Sequence, residues 1–230
     1  MSMKDNSPSS HIPGDSCMLF RPFMQTPEHQ NIPERYRRMR HPFFAWTGAR
    51  PVVAQHTRAE HKALQRWVQG RKAVVEIGVA EGASALALRE SMAADGTLYL
   101  IDPYHLSRLR WLNLSRRAAH ACVNLSKNGR VLWIQKFSAQ AAVQWSSPID
   151  FLFVDGDHAE AAVRDDWRLW HAFLRLGAVA VFHDARVFPD GWPAESDGPV
   201  KFVDGLFRQQ NSEWKIVDEV HSLVFVQRSA

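Results

Sequence analysis

The sequence has few of the features that identify secreted, membrane-spanning or disulfide-stabilised proteins. Its 230 residues contain two cysteines, Cys17 and Cys122, which are too few for a disulfide framework and lack the spacing of a metal site. No apolar run approaches the ~20 residues that span a bilayer, and the polar residues 1–10 lack the apolar segment of a signal peptide. We therefore expect a cytoplasmic protein with reduced thiols and no membrane partner.

The charge balance is mildly basic and excludes few classes of function. Lysine and arginine number 28 against 24 acidic residues, which gives a formal charge of +4 and a pI of about 9.3. Clusters of basic residues can bind nucleic acid or anionic substrates, although most are solvated surface. The arginines concentrate in two groups, Arg35, Arg37, Arg38 and Arg40, and then Arg108, Arg110, Arg116 and Arg117. With 46% hydrophobic residues, the chain can form one globular domain and a short extension.

Residues 1–56 are expected to form an N-terminal arm. They show no clear periodicity, and Pro33, Pro42 and Pro51 interrupt any long helix. The aromatic side chains of the segment 43–46 suggest that this part of the arm packs against another surface. The arm could therefore cover an active site or form a contact in a homodimer.

Helices and strands alternate from Thr57 onward. Thr57 to Glu60 fits a capping box, in which two side chains satisfy free N–H groups at a helix start, and Gly70 ends that helix. Short apolar runs predict strands at 73–77, 97–101, 131–135, 149–154 and 178–182. Helical periodicity predicts helices at 82–94, 106–127, 139–145, 159–176 (with Gly177 as its C-cap) and 200–209. The last strands, 214–220 and 223–227, are close enough to pair only as an antiparallel hairpin.

This order predicts an α/β fold for residues 57–230. Strands that alternate with helices form a parallel sheet with helices on both faces. The sheet should be Rossmann-like and mainly parallel, with an antiparallel hairpin at its C-terminal end. In such sheets ligands bind beyond the carboxyl ends of the strands, so the residues that follow each strand are the candidates for a site.

The turn after the first strand is the first candidate. Gly78 lets the backbone turn tightly, and Gly82 opens a helix whose free N–H groups suit an anionic ligand group. A dinucleotide fingerprint has glycines at its first, third and sixth positions. Here Ala80 stands at the middle position, which argues against NAD. Asp102 ends the second strand and could accept hydrogen bonds from ribose hydroxyls, or act only as a helix cap.

The run from Glu76 to Ser84, Glu-Ile-Gly-Val-Ala-Glu-Gly-Ala-Ser, resembles motif I of class I S-adenosylmethionine-dependent methyltransferases. Within that class it is similar to small-molecule O-methyltransferases of the catechol and caffeoyl-CoA type. The resemblance implies that the methionine end of S-adenosyl-L-methionine is bound by Glu76, Gly78, Val79, Glu81, Gly82 and Ser84. The remaining contacts are implied for Asp102 at the ribose, for Pro103, Tyr104, Ser138 and Ala139 around the adenine, and for Asp155.

A second group of polar residues follows the fourth and fifth strands. Asp155 and His158 come after one, His183 and Asp184 after the other, and adjacent parallel strands place both ends at one edge of the sheet. An alcohol or phenol must lose a proton when it is methylated, and His158 can take it. The two carboxylates could hold a hard cation that lowers the pKa of the acceptor. Asp157 could instead cap the next helix, and His183 could be a satisfied histidine at a strand end.

The segments 150–158 and 176–184 resemble the family of macrocin O-methyltransferase and the cephalosporin-hydroxylase-like proteins. The resemblance implies that Asp155 binds Mg²⁺ and takes part in catalysis. It also implies that Asp184 is a second ligand and that His158 is the general base.

The sequence departs from the metal-dependent relatives at the end of the fifth strand. Those relatives have an Asp-Asn or a Glu-Asp pair where this chain has His183-Asp184-Ala185. Ala185 has no ligand atom, and His183 is a softer and poorer Mg²⁺ ligand than a carboxylate. His183 is still counted with Asp155 and Asp184 as a candidate ligand. A metal-assisted mechanism and a metal-free mechanism therefore both stay open.

The leading prediction is an enzyme that methylates a hydroxyl of a small molecule, either a sugar or a natural product. The loop 186–199, rich in proline, glycine and aromatic residues, should form a lid or an acceptor pocket. One alternative is an RNA or other nucleic-acid methyltransferase, which the absence of an Asn-Pro-Pro-Tyr-type run disfavours. The other is a non-catalytic protein that binds S-adenosylmethionine, which the presence of His158 disfavours.

Overall fold

The computed structural model describes residues 42–49, 52–104, 113–208 and 213–229. The predicted arm lies outside the described residues up to position 41, including its arginine group. Residues 105–112 lie outside them too, and with them Arg108, Arg110 and the start of the helix predicted at 106–127. Within the described residues, 42–46 are helical.

Seven strands and six helices follow in the described part of the chain. The strands are β1 (Ala73–Ile77), β2 (Thr97–Ile101), β3 (Arg130–Ile134), β4 (Ile149–Val154), β5 (Leu174–Phe182), β6 (Trp214–Val220) and β7 (Leu223–Arg228). The helices are α1 (Arg58–Val68), α2 (Ala83–Ser91), α3 (Leu114–Val123), α4 (Ser138–Val143), α5 (Glu160–Trp170) and α6 (Gly198–Phe207), with a 3₁₀ turn at His171–Phe173. No helix of the described residues is long and apolar enough to cross a membrane.

The strands form one sheet in the order β3-β2-β1-β4-β5-β7-β6. The neighbours from β3 to β5 pair in parallel, whereas β7 pairs antiparallel with both β5 and β6. This confirms the predicted Rossmann-like sheet with its C-terminal hairpin. The strand order reverses between β1 and β4, and such a switch point opens a crevice at the carboxyl ends of the strands.

Two apolar layers cover the faces of the sheet. Successive side chains of a strand point to opposite faces, and in β4 Leu152 and Val154 join one buried cluster while Phe151 and Phe153 join the other. All six residues of β4 are buried, as a strand with helices on both faces requires. The central strands are therefore fixed from both sides, which holds the residues that follow them in place.

The helix predicted at 159–176 is wrong at its C-terminal end. α5 stops at Trp170, and the chain enters β5 at Leu174, where Leu174 pairs with Ile149. Leu174 continues the helical spacing of the apolar residues before it, so the periodicity alone could not separate the two elements. Gly177 does not cap the helix. It has a φ of +76° inside β5, in the stretch where the register against β4 shifts.

Candidate active site

The turn after β1 depends on the absence of a side chain at Gly78. Gly78 has a φ of +84°, and a Cβ atom there would lie 1.9 Å from the carbonyl oxygen of Asp155. The backbone N–H of Asp155 donates to the carbonyl of Ile77 at 2.8 Å. The ends of β1 and β4 are thus in direct backbone contact, which places the glycine turn beside the second group of polar residues.

Asp102 holds this turn from the end of β2. Its Oδ2 accepts hydrogen bonds from the backbone N–H groups of Val79 and Ala80 at 3.0 and 3.2 Å. Its Oδ1 accepts one from the N–H of Tyr104 at 2.7 Å. Ala80 and Tyr104 have φ values of +47° and +42°, so Asp102 stabilises a backbone that is unfavourable for both residues. A carboxylate has about four acceptor positions, and the ribose contact implied for Asp102 stays a prediction.

Glu76 is a fully buried carboxyl group at the end of β1. Burial raises its pKa well above the ordinary value, although a hydrogen bond donated by the Ser84 hydroxyl to Oε1 opposes the shift. Its second oxygen, Oε2, is buried without a hydrogen-bond partner among the described residues. The Ser84 hydroxyl is thus engaged with Glu76, and the cofactor contact implied for it stays a prediction. Glu76 instead presents a buried acceptor that a ligand donor could satisfy.

The residues predicted after β4 and β5 do come together. Nδ1 of His183 lies 2.9 Å from Oδ1 of Asp155 and 3.4 Å from Oδ1 of Asp184. Nε2 of His158 lies 3.4 Å from Oδ2 of Asp184 and 3.8 Å from Oδ1 of Asp155. The His183 side chain is 3% exposed and that of His158 is 54% exposed. One imidazole is therefore internal, and the other reaches solvent.

Charge and burial act in opposite directions on these groups. Burial alone would raise the pKa of Asp155, but the positive charge of His183 and the contact with His158 outweigh it and lower the pKa to about 2. Burial alone would lower the pKa of His183, but the charge and hydrogen bond of Asp155 raise it to about 9. The contact with Asp155, supported by the charge of Asp184, raises the pKa of His158 above its ordinary value. Burial raises the pKa of Asp184.

These features can be compared with known proteins. Residues 75–185 match the family model of a methyltransferase domain. The part of the chain that runs from β1 to the end of β5 is therefore similar to a methyltransferase domain.

Several solved structures share the fold of this chain. A candidate O-methyltransferase from Klebsiella pneumoniae is 17% identical, with 96% of this chain and 93% of that chain covered and a TM-score of 0.62. The O-methyltransferase TomG from Streptomyces achromogenes, in complex with S-adenosylmethionine, is 18% identical over 82% and 88% of the two chains, with a TM-score of 0.54. The O-methyltransferase from Bacillus cereus, in complex with S-adenosylhomocysteine, is 18% identical over 81% and 89%, also with a TM-score of 0.54. At these identities the likeness establishes the fold alone.

Other residues implied to bind the cofactor have structural contacts of their own in this fold. The Ser138 hydroxyl accepts a hydrogen bond from Nε1 of Trp170 at 2.8 Å, and Ala139 beside it is exposed. Tyr104 is buried in the same apolar cluster as Val79, and its hydroxyl has no hydrogen-bond partner among the described residues. Pro103, which directly precedes Tyr104, is half-buried. Their contacts with an adenine remain predictions.

Glu81 has a second role, because it fixes the segment before α1. Its Oε2 accepts a hydrogen bond from the backbone N–H of Val53 at 3.1 Å. Val52 packs with residues of α2 and α3 in a small buried cluster. The described part of the predicted arm therefore packs beside the turn after β1, and its role as an active-site cover or a homodimer contact stays a prediction.

The sequence analysis missed a pair of buried histidines next to this segment. Nε2 of His56 lies 3.2 Å from Nδ1 of His61, and the two rings stack. Burial lowers the pKa of both, to about 3 for His56 and about 4 for His61, and the charge of His183 lowers that of His56 further. His56 precedes the capping box and has no motif around it. No signal in the sequence linked it to His183.

The capping box of α1 also connects this helix to the turn between β6 and β7. The Thr57 and Glu60 side chains form the predicted reciprocal hydrogen bonds. Oε1 of Glu60, however, also accepts hydrogen bonds from the backbone N–H and the hydroxyl of Ser222 at 2.7 and 2.6 Å. Ser222 lies in the turn between β6 and β7. The carbonyl of Ser222 accepts a hydrogen bond from the N–H of Ala185, so Glu60 helps to position the end of β5.

The loop 186–199 contacts the site through Trp192. Nε1 of Trp192 donates a hydrogen bond to Oδ1 of Asp184, and its ring is 52% exposed. Phe188 stacks on His221 and lies edge-on to Trp192. The Trp192 ring lies near that of His183, with 6.1 Å between the ring centroids, and the lid or acceptor pocket expected of this loop stays a prediction.

The donor set of the site does not fit Mg²⁺. The ligand atoms of Asp155, His158 and His183 lie within 4.8 Å of one another, so one carboxylate is combined with two imidazoles. Mg²⁺ requires near-octahedral oxygen ligands. The second carboxylate, Asp184, already receives the indole N–H of Trp192. The cluster therefore offers too few free oxygen ligands for this ion.

Proposed function

We propose that this methyltransferase transfers a methyl group from S-adenosyl-L-methionine to a hydroxyl of a small molecule, a sugar or a natural product. The observation that carries the proposal is the position of His158. It is a half-exposed histidine, in contact with two carboxylates, at the edge of the sheet where the glycine turn lies. Positioned histidines are the most frequent general bases in proteins, and their efficiency is greatest when their pKa is close to the working pH.

The cofactor contacts follow from the turn after β1. The first turn of α2 offers free N–H groups to an anionic group such as the methionine carboxylate. The unpartnered Oε2 of Glu76 would accept a hydrogen bond from the amino group of the same ligand. When bound, S-adenosylmethionine supplies a methyl group on a sulfonium, which is already activated for displacement. Most of the catalysis is then positioning of the acceptor.

His158 would remove the proton of the acceptor hydroxyl. Its Nε2 faces Asp184 and Asp155, so an Nε2–H tautomer donates toward the carboxylates and leaves Nδ1 to accept the proton. The carboxylates would orient the ring and stabilise the imidazolium that forms. His183 and Trp192 in turn hold the carboxylates. The exposed ring face of Trp192 would contact the acceptor.

A screen of acceptors tests the proposal. The purified full chain is incubated with S-adenosylmethionine and, separately, with methyl glycosides, phenols and a structured RNA, and each acceptor is analysed by mass spectrometry. Addition of one methyl group to a glycoside or phenol hydroxyl would support the proposal. Transfer to RNA alone, with binding that weakens steeply as salt rises, would replace it by the nucleic-acid alternative.

A further inference from the structure

The two carboxylates of the site are held by nitrogen donors. Oδ1 of Asp155 is in hydrogen-bond contact with Nδ1 of His183, and Oδ1 of Asp184 accepts a hydrogen bond from Nε1 of Trp192. Nε2 of His158 lies 3.4 Å from Oδ2 of Asp184. A cation shared by the two carboxylates would lie between their oxygen atoms. Nδ1 of His183 is within 3.4 Å of an oxygen of each carboxylate, so the imidazole already lies between them.

The ring nitrogen of His183 that lies between the two carboxylates is already engaged. Nδ1 makes the polar contact of the ring, toward Oδ1 of Asp155 at 2.9 Å. It is therefore not free to ligate a cation between Asp155 and Asp184. The second ring nitrogen, Nε2, is buried without a hydrogen-bond partner among the described residues.

The residues that follow β5 support the same arrangement. Asp184 has a φ of +53°, in the left-handed region that aspartate and asparagine adopt more often than other residues with a side chain. The next residue, Ala185, is fully buried and offers no ligand atom. Trp192 is bonded to Asp184, so the carboxylate that would ligate a cation instead anchors the loop 186–199.

We propose that the imidazole of His183 takes the place of a divalent cation between Asp155 and Asp184, so that the site is complete without a metal. In this arrangement the ring N–H of His183 compensates the charge of the carboxylates, and the carboxylates position His158. His183 is therefore a positioning residue. This role rests on the proposed function, because His158 is there the general base that the carboxylates position.

Metal titration of the full-length wild-type protein tests this inference. The chain is first treated with a chelator and dialysed, and Mg²⁺, Mn²⁺ and Zn²⁺ are then titrated separately by calorimetry, with Asp155→Asn as the paired variant. We expect no binding component that depends on Asp155, and the same Tm with and without chelator. Binding of any of these ions at one per chain that is lost in Asp155→Asn would overturn the proposal. Metal binding that is the same in wild type and in Asp155→Asn would occur outside this site and would agree with the proposal.

A gain of metal binding sharpens the test. His183→Glu would place a third carboxylate beside Asp155 and Asp184, and we expect Mg²⁺ to raise the Tm of this variant by a few degrees while leaving the wild-type Tm unchanged. An equal rise in both proteins would contradict the proposal, and if the variant does not fold, the wild-type titration decides alone. Neither measurement contains a methyl acceptor, so an error in the proposed acceptor or reaction would not alter the result.

Discussion

The proposed cofactor turn (between β1 and α2) and the proposed acceptor side of the crevice (the ends of β4 and β5) are built in different ways. The turn is shaped by backbone geometry, with Gly78 inside it and Asp102 at the end of the neighbouring strand β2. The acceptor side is shaped by side chains, since His158 and Trp192 both contact Asp184. The first region is therefore visible as a motif. The second depends on side-chain contacts that only the folded chain creates.

Removing the base should have the largest effect and should separate the two regions. His158→Ala is expected to lower kcat by about 10²–10⁴-fold, because proton removal loses its positioned acceptor. Affinity for S-adenosylmethionine should stay the same, since His158 lies on the acceptor side. Methyl-transfer kinetics with an acceptor from the screen, together with calorimetry, measure the two effects. Asp157→Asn is the control, because its exposed side chain can still accept the hydrogen bond from the N–H of Ala159. Unchanged turnover in His158→Ala would refute the assignment.

Substituting Gly78 should disrupt the contact that joins the two regions. The Cβ of Gly78→Ala would collide with the backbone of Asp155, and the φ of +84° is unfavourable for alanine. We expect a loss of about 2–4 kcal/mol in the free energy of unfolding, together with loss of cofactor binding, measured by urea denaturation and calorimetry. Gly205→Ala is the matched control, because Gly205 lies in α6 with open space around it. Alanine there should stabilise the helix by roughly 0.5–1 kcal/mol. Equal stability of Gly78→Ala and wild type would contradict the account.

The pair of His183 and Asp155 should make stability depend on pH. The pKa of His183 is raised to about 9, so its stabilisation is fully present below about pH 6.5 and is lost as the pH rises through 9. The pKa of Asp155 is lowered to about 2, so its stabilisation is present above about pH 4 and is lost as the pH falls toward 2.

The variant His183→Asn keeps a donor toward Asp155 but cannot titrate. It should be less stable than wild type by roughly 1–3 kcal/mol between pH 4 and 6.5, and the difference should shrink above pH 9. Denaturation across this pH range measures it. A constant difference at every pH would show that the ring contributes packing and not charge.

The smallest expected effect concerns the segment that covers the turn. Glu81→Ala removes the acceptor of the Val53 N–H and should cost about 1 kcal/mol. Glu81→Gln retains an acceptor oxygen and serves as the control. Hydrogen exchange of residues 52–56 should accelerate in the alanine variant and remain near wild type in the glutamine variant. Equal protection in both variants would mean that the segment is held by packing alone.

The sequence predicted the fold well because its evidence is local. Apolar runs such as those of β1 and β4 and the capping box at Thr57 report on neighbouring residues, and the alternation of strands and helices predicts a parallel sheet. The error at Leu174 arose because an apolar residue in helical register is equally compatible with the start of a strand. The bulge of β5 near Gly177 then depends on pairing with β4, which a single segment does not encode.

The site was predictable only in part. The positions of Asp155, His158, His183 and Asp184 after adjacent strands were enough to place them together. Their partners were not predictable, because Asp102 and Ser84 bind the protein itself and Trp192 reaches Asp184 across a loop. A motif shows which residue types are present, whereas hydrogen-bond partners depend on distances between segments.

Calorimetric titration of S-adenosylmethionine and S-adenosylhomocysteine into the wild-type protein tests the central claim most directly. The turn after β1, the first turn of α2 and the unpartnered Oε2 of Glu76 together predict one site per chain with micromolar affinity, accompanied by a rise in Tm. No binding heat and no change in Tm with either ligand would contradict the assignment of this turn as the cofactor site.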